Sequence, residues 1–504
     1  MALKLFPSIE ECKKYSGEYK YVPVSSSILA DERTPIEVLR ALRASGKRCF
    51  ILESAEHGKW GRYTFIGCDP SLELTCRDGE LKIRDVIADR IVDEHHTDHP
   101  ATEIRALLKE YKSPSVEGMP SFTGGLMGYF AYDYQKYNEK TLDIDVDDKE
   151  GFADVDLMLF DKLIAFDHFR QQIFFIVNLK LADIEAEYGK APELIERMIK
   201  DALGKGNDTG KSGSAEFSGK RLGPVTPRFN EKQFSAMVEK AKEYIYEGDI
   251  FQVVLSNCMT AEYEGSLLNV YRQLRSLNPS PYMFYFGSDT LEVAGASPET
   301  LVKLENGVLR TFPLAGTSKR GATEEEDALF EKQLISDEKE RAEHNMLVDL
   351  GRNDLGRVSK FGSVEVEKYM TVEKYSHVMH IASTVRGSLR DDMDALDAIN
   401  SVLPAGTLSG APKIRACSII AELEQDKRGI YGGAVGYLDF TGNMDMCIAI
   451  RLAYKKNGKV YIRSGAGIVA DSVPEKEYLE SVNKAKAVVT AMEEAEGMND
   501  PFDR

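Results

Sequence analysis

Positive charge is in deficit in this chain. Against 82 acidic residues stand 64 Lys and Arg, a formal net charge of -18. No basic surplus exists to offset a phosphate backbone, which excludes nucleic acid as the main partner. A local basic pocket for a small anionic ligand stays open. Cysteine is sparse and unpatterned. Cys12, Cys49, Cys68, Cys76, Cys258, Cys417 and Cys447 are odd in number and contain no C-x-x-C. That argues against a disulfide frame or a zinc site and fits a reducing compartment, so the expected location is cytoplasmic. No apolar run approaches the roughly 18 residues of a membrane span. The opening M-A-L-K-L-F-P-S-I-E-E has too short an apolar stretch for a secretory signal, and acidic residues follow at once.

What is present is a chain of 504 residues, 43% hydrophobic, able to bury large cores. By length it holds about three average domains or one large one. A Gly-, Ser- and Lys-rich stretch, G-K-G-N-D-T-G-K-S-G-S-A-E-F-S-G-K at 204–220, reads as a flexible linker or surface loop. It divides an N-terminal region, 1–203, from a C-terminal region, 221–504. Strand-like runs occupy 48–52, 157–166 and 172–179, and helical stretches 35–44 and 192–203. The tract 93–99, D-E-H-H-T-D-H, reads as a solvated loop that can bind metal adventitiously. In the C-terminal region strands are expected at 250–260, 282–286, 291–294, 308–312, 431–438, 444–454 and 460–464. Helices are expected at 231–247, 267–277, 323–350, 395–402, 411–425 and 473–492. Strands come in adjacent groups without strict alternation with helices, which favours an α+β fold with antiparallel sheets over a doubly wound parallel sheet.

The most informative segment is 337–354, D-E-K-E-R-A-E-H-N-M-L-V-D-L-G-R-N-D. It places Glu340 and Glu343 on one helix face, and Glu477 and Glu480 repeat that spacing near the C-terminus. Taken singly, each pair also fits a solvated helix face. Turned together toward one cleft, the pairs would repel unless a cation lay between them, and oxygen ligands alone favour Mg²⁺ over Zn²⁺. Just before the second pair, Gly465-Ala466-Gly467 reads as a loop whose amides a ligand can approach, and Ser472 with Glu475 fits a capping box. G-A-G-I-V-A also matches a dinucleotide-binding fingerprint, but the helix starts too late and too little chain follows for that fold. P-A-G-T-L-S-G-A-P-K, 404–413, offers Thr407 and Ser409 hydroxyls before a helix start, a place that attracts anions and equally an ordinary capped turn. His380 can move protons or simply support a strand. Arg451, among apolar strand residues, pairs with a carboxylate or receives an anionic ligand.

Together these segments resemble the chorismate-utilising enzymes, and among them anthranilate synthase component I. The matching pieces run in the family's order over most of 230–490. They are G-D-I-F-Q-V-V-L-S (248–256), A-S-P-E-T-L (296–301), P-L-A-G-T (313–317), 337–354, 404–413, Y-G-G-A-V-G-Y (431–437), C-I-A-I-R (447–451) and S-G-A-G-I-V (464–469). I-L-E-S-A (51–55) and R-Y-T-F-I-G (62–67) also look like that subunit. The resemblance implies a two-sheet antiparallel α/β sandwich with helices outside and a central active-site cleft. It implies a Mg²⁺-dependent lyase reaction in tryptophan biosynthesis, in which chorismate and ammonia give anthranilate and pyruvate. Glu343 and Glu480 would hold Mg²⁺ directly, with Glu340 and Glu477 beside them. Thr407 would meet the ring carboxylate of chorismate. Tyr431, Arg451, Gly465, Gly467 and Lys484 would surround its enolpyruvyl carboxylate. Glu299 and His380, with Glu340 nearby, would handle protons and the leaving hydroxyl.

Two positions separate sibling enzymes on the same scaffold. Isochorismate and salicylate synthases carry a water-activating lysine where this chain has Gln252. Aminodeoxychorismate synthases carry a nucleophilic lysine where it has Ala315. Both substitutions point to anthranilate synthase. The siblings, and a non-catalytic tryptophan-binding regulatory subunit, are the competing readings. The resemblance also implies feedback inhibition by tryptophan at Glu53 and Ser54 together with Asn278, Pro281, Tyr282 and Met283. No glutaminase nucleophile in a strand–turn–helix setting is visible, so ammonia is expected from a separate glutamine amidotransferase chain.

Overall fold

The structure, a computed structural model, describes residues 3–44, 48–55, 61–139, 141–142, 146–204, 219–374, 378–496 and 498. All but the ends of the expected linker, 204 and 219–220, lie outside these residues. Among the described residues the strands form two antiparallel sheets, one of thirteen strands and one of twelve. Their inner faces enclose the main core. Alternation along a strand shows why: Phe50 points between the sheets, while its neighbours Cys49 and Ile51 join a second core under outer helices. No helix among the described residues is long and apolar enough to cross a membrane. The two regions of the sequence share both sheets. Cys49–Glu53 pairs with Tyr282–Gly287 in one, and Gly125–Phe130 with Ala434–Asp439 in the other.

Several runs expected as single elements are divided. The run 444–454 forms Met444–Ile448 in the twelve-stranded sheet and Leu452–Lys456 in the thirteen-stranded one. The chain changes sheets at Arg451, which takes a left-handed backbone, φ 51°. The run 157–166 divides likewise at Asp161, into Val155–Phe160 and Lys162–Asp167. The helix expected over 323–350 is two, Glu324–Ser336 and Glu338–Gly356, because Asp337 is extended and its carboxylate accepts the amides of Lys339 and Glu340 as an N-cap. The helix expected from 192 runs Ile184–Leu203, with Pro192 inside it. The tract 93–99 is no loop: most of it belongs to the edge strand Arg90–His96, where His95 lies 3.3 Å from Asp93 and 3.6 Å from Glu103.

Three buried charges, with the half-buried Asp426 beside them, lie where Gln252–Gly265 and Lys459–Ile468 pair and the Lys413–Glu424 helix ends. Arg428 is 2% exposed. It donates to Glu424 from Nε at 2.9 Å, to the Leu408 carbonyl at 2.6 Å and to the Val254 carbonyl at 2.7 Å. Glu424 also accepts the Ser256 amide at 2.7 Å, and Arg463 joins it at 3.3 Å while pairing with Asp426. Burial pushes the Glu424 carboxyl up, but Arg428 and Arg463 outweigh it and hold it below the usual range. Removing one partner leaves an uncompensated buried charge. Arg428→Ala is expected to cost about 3–5 kcal/mol in denaturant unfolding; a loss below about 1 kcal/mol, typical of surface pairs, would contradict this.

Candidate active site

A cleft of about 1080 Å³ opens between the sheets and the Glu338–Gly356 and Pro474–Glu496 helices. Glu299, Glu340, Glu343, His380, Thr407, Tyr431, Arg451, Gly465, Gly467, Glu477, Glu480 and Lys484 all line it, as do Gln252 and Ala315. Residues far apart in sequence therefore meet in one place. Two parallel changes of sheet explain the floor. Leu291–Ser297 belongs to the thirteen-stranded sheet and Thr300–Glu305 to the twelve-stranded one, so the chain also crosses at Pro298-Glu299. This crossover runs beside the one at Arg451: the Ala296 amide donates to the Arg451 carbonyl at 3.1 Å, and the Ile448 amide to the Glu299 carbonyl at 2.9 Å.

Glu299 Oε1 accepts the Thr407 hydroxyl at 3.2 Å. Burial pushes the Glu299 carboxyl up to about 7, against the opposing pull of the Thr407 bond, Arg451 and Lys484. Burial lowers Arg451 in turn, with Glu299 opposing. His380 Nδ1 lies 2.9 Å from the Gly316 carbonyl and 3.1 Å from the Thr317 hydroxyl. Donation from Nδ1 to that carbonyl fixes the ring. Burial depresses His380; the bond to Gly316 opposes this and Arg451 adds to it, which favours the neutral ring. Tyr431 is buried beside Arg428, whose guanidinium carbon lies 5.9 Å from its ring centre.

Gly465 and Gly467 are not in a loop. They lie on one face of the Lys459–Ile468 strand, while Ala466 and Ile468 face a core on the other. Their contribution is missing bulk: a Cβ on Gly467 would sit 2.9 Å from Gln252 Nε2, and one on Gly465 would sit 2.5 Å from the Leu255 carbonyl oxygen. The capping box expected at Ser472 and Glu475 is also corrected. The Ser472 hydroxyl accepts the Val469 amide at 3.1 Å and bonds to Glu477, and the helix starts at Pro474.

The two carboxylate pairs stand in the opening turns of two helices that face across the cleft mouth. Glu340 lies against Gly316, which has φ 64° and whose added Cβ would come within 3.0 Å of Glu340 Oε2. Burial raises the Glu340 carboxyl, and Glu343 and Asp337 raise it further. Burial raises Glu477 too; Ser472 opposes, Glu480 adds, and Lys484 and Lys339 oppose. Lys339 stands on the opposite helix, so the pairs sense each other's surroundings. Lys484 bonds Glu480 at 2.7 Å. An all-oxygen donor set whose members disfavour each other's charge fits a hard divalent cation.

The residues expected to meet tryptophan are gathered elsewhere. Glu53 and Met283 are cross-strand partners, and the Ala55 amide donates to the Ser280 carbonyl at 3.0 Å. Glu53 is held by Arg275 at 2.5 Å and by the Tyr271 hydroxyl. The buried Asn278 side-chain amide nitrogen has no hydrogen-bonding partner among the described residues. The Tyr282 hydroxyl points away, to Thr300 at 2.9 Å and Asp445 at 2.8 Å.

Residues 47–490 match the family of chorismate binding enzymes. The chain belongs to that family. Along its whole length it is similar to two proteins named anthranilate synthase component 1. It is 45% identical to that of Acetivibrio thermocellus over 494 residues, covering 97% of this chain and 99% of the relative. It is 47% identical to that of Aquifex aeolicus over 493 residues, covering 97% and 98%. Its fold matches the crystal structure of anthranilate synthase component I from Streptococcus pneumoniae TIGR4 with a TM-score of 0.74 at 35% identity, over 92% of this chain and 98% of the other.

Sequence reasoning missed Arg428, Glu424, Asp426 and Arg463, which lie behind the cleft floor, and Lys339, which acts on Glu477; it marked Ser472 but gave it a cap rather than its bond to Glu477. Arg428 and Glu424 are four apart, but Gln425 is left-handed and ends the helix between them, so no helical pairing signal marks them. Arg451→Ala removes a cation that opposes Glu299's raised carboxyl. A carboxyl-resolved infrared titration is expected to show Glu299 titrating higher in that variant; an unchanged midpoint would contradict the proximity drawn here.

Proposed function

We propose that the chain converts chorismate and ammonia to anthranilate, pyruvate and water, with Mg²⁺ at the four carboxylates and ammonia delivered by a separate glutaminase chain. The observation that carries this reading is the composition of the cleft wall. Gln252 and Ala315 line it, and neither an amide nor a methyl group can activate water or attack the ring. That composition supports a nucleophile that enters as a small molecule, and the full-length likeness to anthranilate synthase components supports ammonia. Glu343 and Glu480 would hold the cation, with Glu340 and Glu477 completing an oxygen shell. Bound there, Mg²⁺ would supply charge neutralisation for the ring carboxylate and Lewis acidity near the C4 hydroxyl.

The chain's own residues do the rest. Thr407 and Arg451 lie where carboxylates of the substrate can be oriented against the floor. Gly465 and Gly467 leave room for the enolpyruvyl arm, and Lys484 adds a cation beside it. Glu299 keeps its proton close to neutral pH and can pass it to the hydroxyl that leaves from C4. His380, neutral and fixed by the Gly316 carbonyl, is placed to handle protons in the same cleft. Amination expels that hydroxyl as water. Loss of the ring proton and of pyruvate then gives the aromatic product, so atoms balance without an oxidant.

Tryptophan is proposed as a feedback inhibitor at Glu53, Ser54, Asn278, Pro281, Tyr282 and Met283. The unspent donor of Asn278 and the Glu53 carboxylate support a ligand with both an acid and an ammonium group, provided Arg275 shares Glu53. Chain location is proposed as cytoplasmic from the cysteine usage.

Three expectations follow from these roles. Glu343→Ala should abolish Mg²⁺-dependent anthranilate fluorescence, and near-normal turnover would defeat the metal assignment. Glu299→Gln should lower kcat by about 10²–10⁴-fold. At fixed free ammonia, wild-type kcat/KM should fall as pH rises through about 7, where Glu299 gives up its proton, and that limb should vanish in the variant; a limb that persists would assign it to another group. Ser54→Ala should weaken tryptophan inhibition with kcat intact, and an unchanged inhibition curve would move the effector site.

A further inference from the structure

We propose that His344 is a positioning residue: one hydrogen bond to Ser383 sets where the Glu340–Glu343 end of the Glu338–Gly356 helix lies against the strand that carries His380. The inference rests on reading the four carboxylates as a magnesium site.

The helix touches the sheet at spaced points. Toward its C-terminal end, Gly351 comes so close that an added Cβ would sit 3.2 Å from Thr311 Cγ2. Val348 and Leu355 enter the main core between the sheets. The Glu340–Glu343 stretch adds no side chain to that core; around Gly316, Glu340 lies beside Leu334 and Ile381 of a small separate cluster. Between these two zones stands His344, one turn beyond Glu340 on the same face and directly after Glu343. It is fully buried at 0% exposure, with Nε2 2.6 Å from the Ser383 hydroxyl oxygen.

That hydroxyl is itself anchored. It accepts the amide of Met370 at 3.0 Å, at a left-handed residue (φ 50°) where the pairing of Glu365–Lys374 with Val378–Ser388 shifts register. The Ser383 amide donates to the Pro313 carbonyl at 3.1 Å, just before the Leu314–Lys319 strand. One serine thus ties the helix to the strands that carry Gly316 and His380. The cost is visible: His344 Nδ1 is buried with no hydrogen-bonding partner among the described residues. An apolar side chain of similar shape would avoid that cost. What the imidazole supplies is direction, one fixed bond that sets the helix's slide and rotation beside the metal-binding carboxylates. Partners that orient metal ligands in this way are worth about 10–100-fold in metal affinity.

The test uses Mn²⁺ in place of Mg²⁺, titrated into the full chain by electron paramagnetic resonance, with thermal unfolding measured in parallel. Ser383→Ala removes the bond from the strand side with little change in volume, and is expected to weaken Mn²⁺ binding by about 10–100-fold. His344→Gln, which keeps a polar group at similar reach, should bind nearer to wild type than Ser383→Ala does. Leu355→Ala, which loosens the other end of the helix, should lower thermal stability while binding Mn²⁺ like wild type. A Ser383→Ala variant that loses thermal stability but keeps its Mn²⁺ affinity would overturn the inference and leave His344 a packing residue. A wild-type chain that takes up no Mn²⁺ would bring down the magnesium reading, and this inference with it.

Discussion

Two neighbouring changes of sheet govern this molecule. The chain crosses from the thirteen-stranded to the twelve-stranded sheet at Pro298-Glu299 and crosses in the opposite sense at Arg451, and the two crossings are hydrogen-bonded to each other. A strand that switches sheets must turn its side chains out of the regular inside–outside alternation. At this seam the side chains that turn out are a carboxylate and a guanidinium. They are half-buried, close enough to bias each other's protonation, and open to a cleft. Strand pairing on either side fixes them, so the reacting geometry is inherited from the ladder rather than from a mobile loop.

The electrostatics of the cleft follow from depth. On the floor, burial dominates and pushes Glu299 toward neutrality, while Arg451 and Lys484 only partly restore its charge. At the mouth, burial is weaker and like charge adds to it, with Glu340 facing Glu343 and Glu477 facing Glu480. Helix N-termini offset some of that repulsion. One cleft thus holds a carboxyl raised by burial at its base and two carboxylate pairs raised by burial and like charge at its rim. Behind the floor, Arg428 and Glu424 are matched closely enough that the carboxylate stays ionised despite complete burial. Their hydrogen bonds reach the Leu408 carbonyl, next to Thr407, and so carry rigidity into the site.

Much of this was legible in the sequence, for physical reasons. Carboxylates at helical spacing announced a shared face, and all four reach the same cleft. Strand grouping announced antiparallel sheets. Misreadings arose where tertiary structure overrides local pattern. Gly465-Ala466-Gly467 reads as a loop by its glycines, yet it is a strand in which glycine makes room for Gln252 and for a close backbone. The apolar run through Arg451 reads as one strand, because nothing local says that its two halves belong to different sheets. Asp337 reads as helix interior until its N-cap role is seen. The braces lie outside any periodic pattern, since Arg428 meets Glu424 across the left-handed Gln425 and Arg463 reaches Glu424 and Asp426 from a distant strand.

The most direct test of the account is mass spectrometry of what the purified chain makes from chorismate, Mg²⁺ and an ammonium salt. Anthranilate together with pyruvate is the expected result. An aminated product that keeps its enolpyruvyl group, or a hydroxylated isomer of chorismate, would contradict the roles given to Ala315 and Gln252 and move the chain to a sibling reaction.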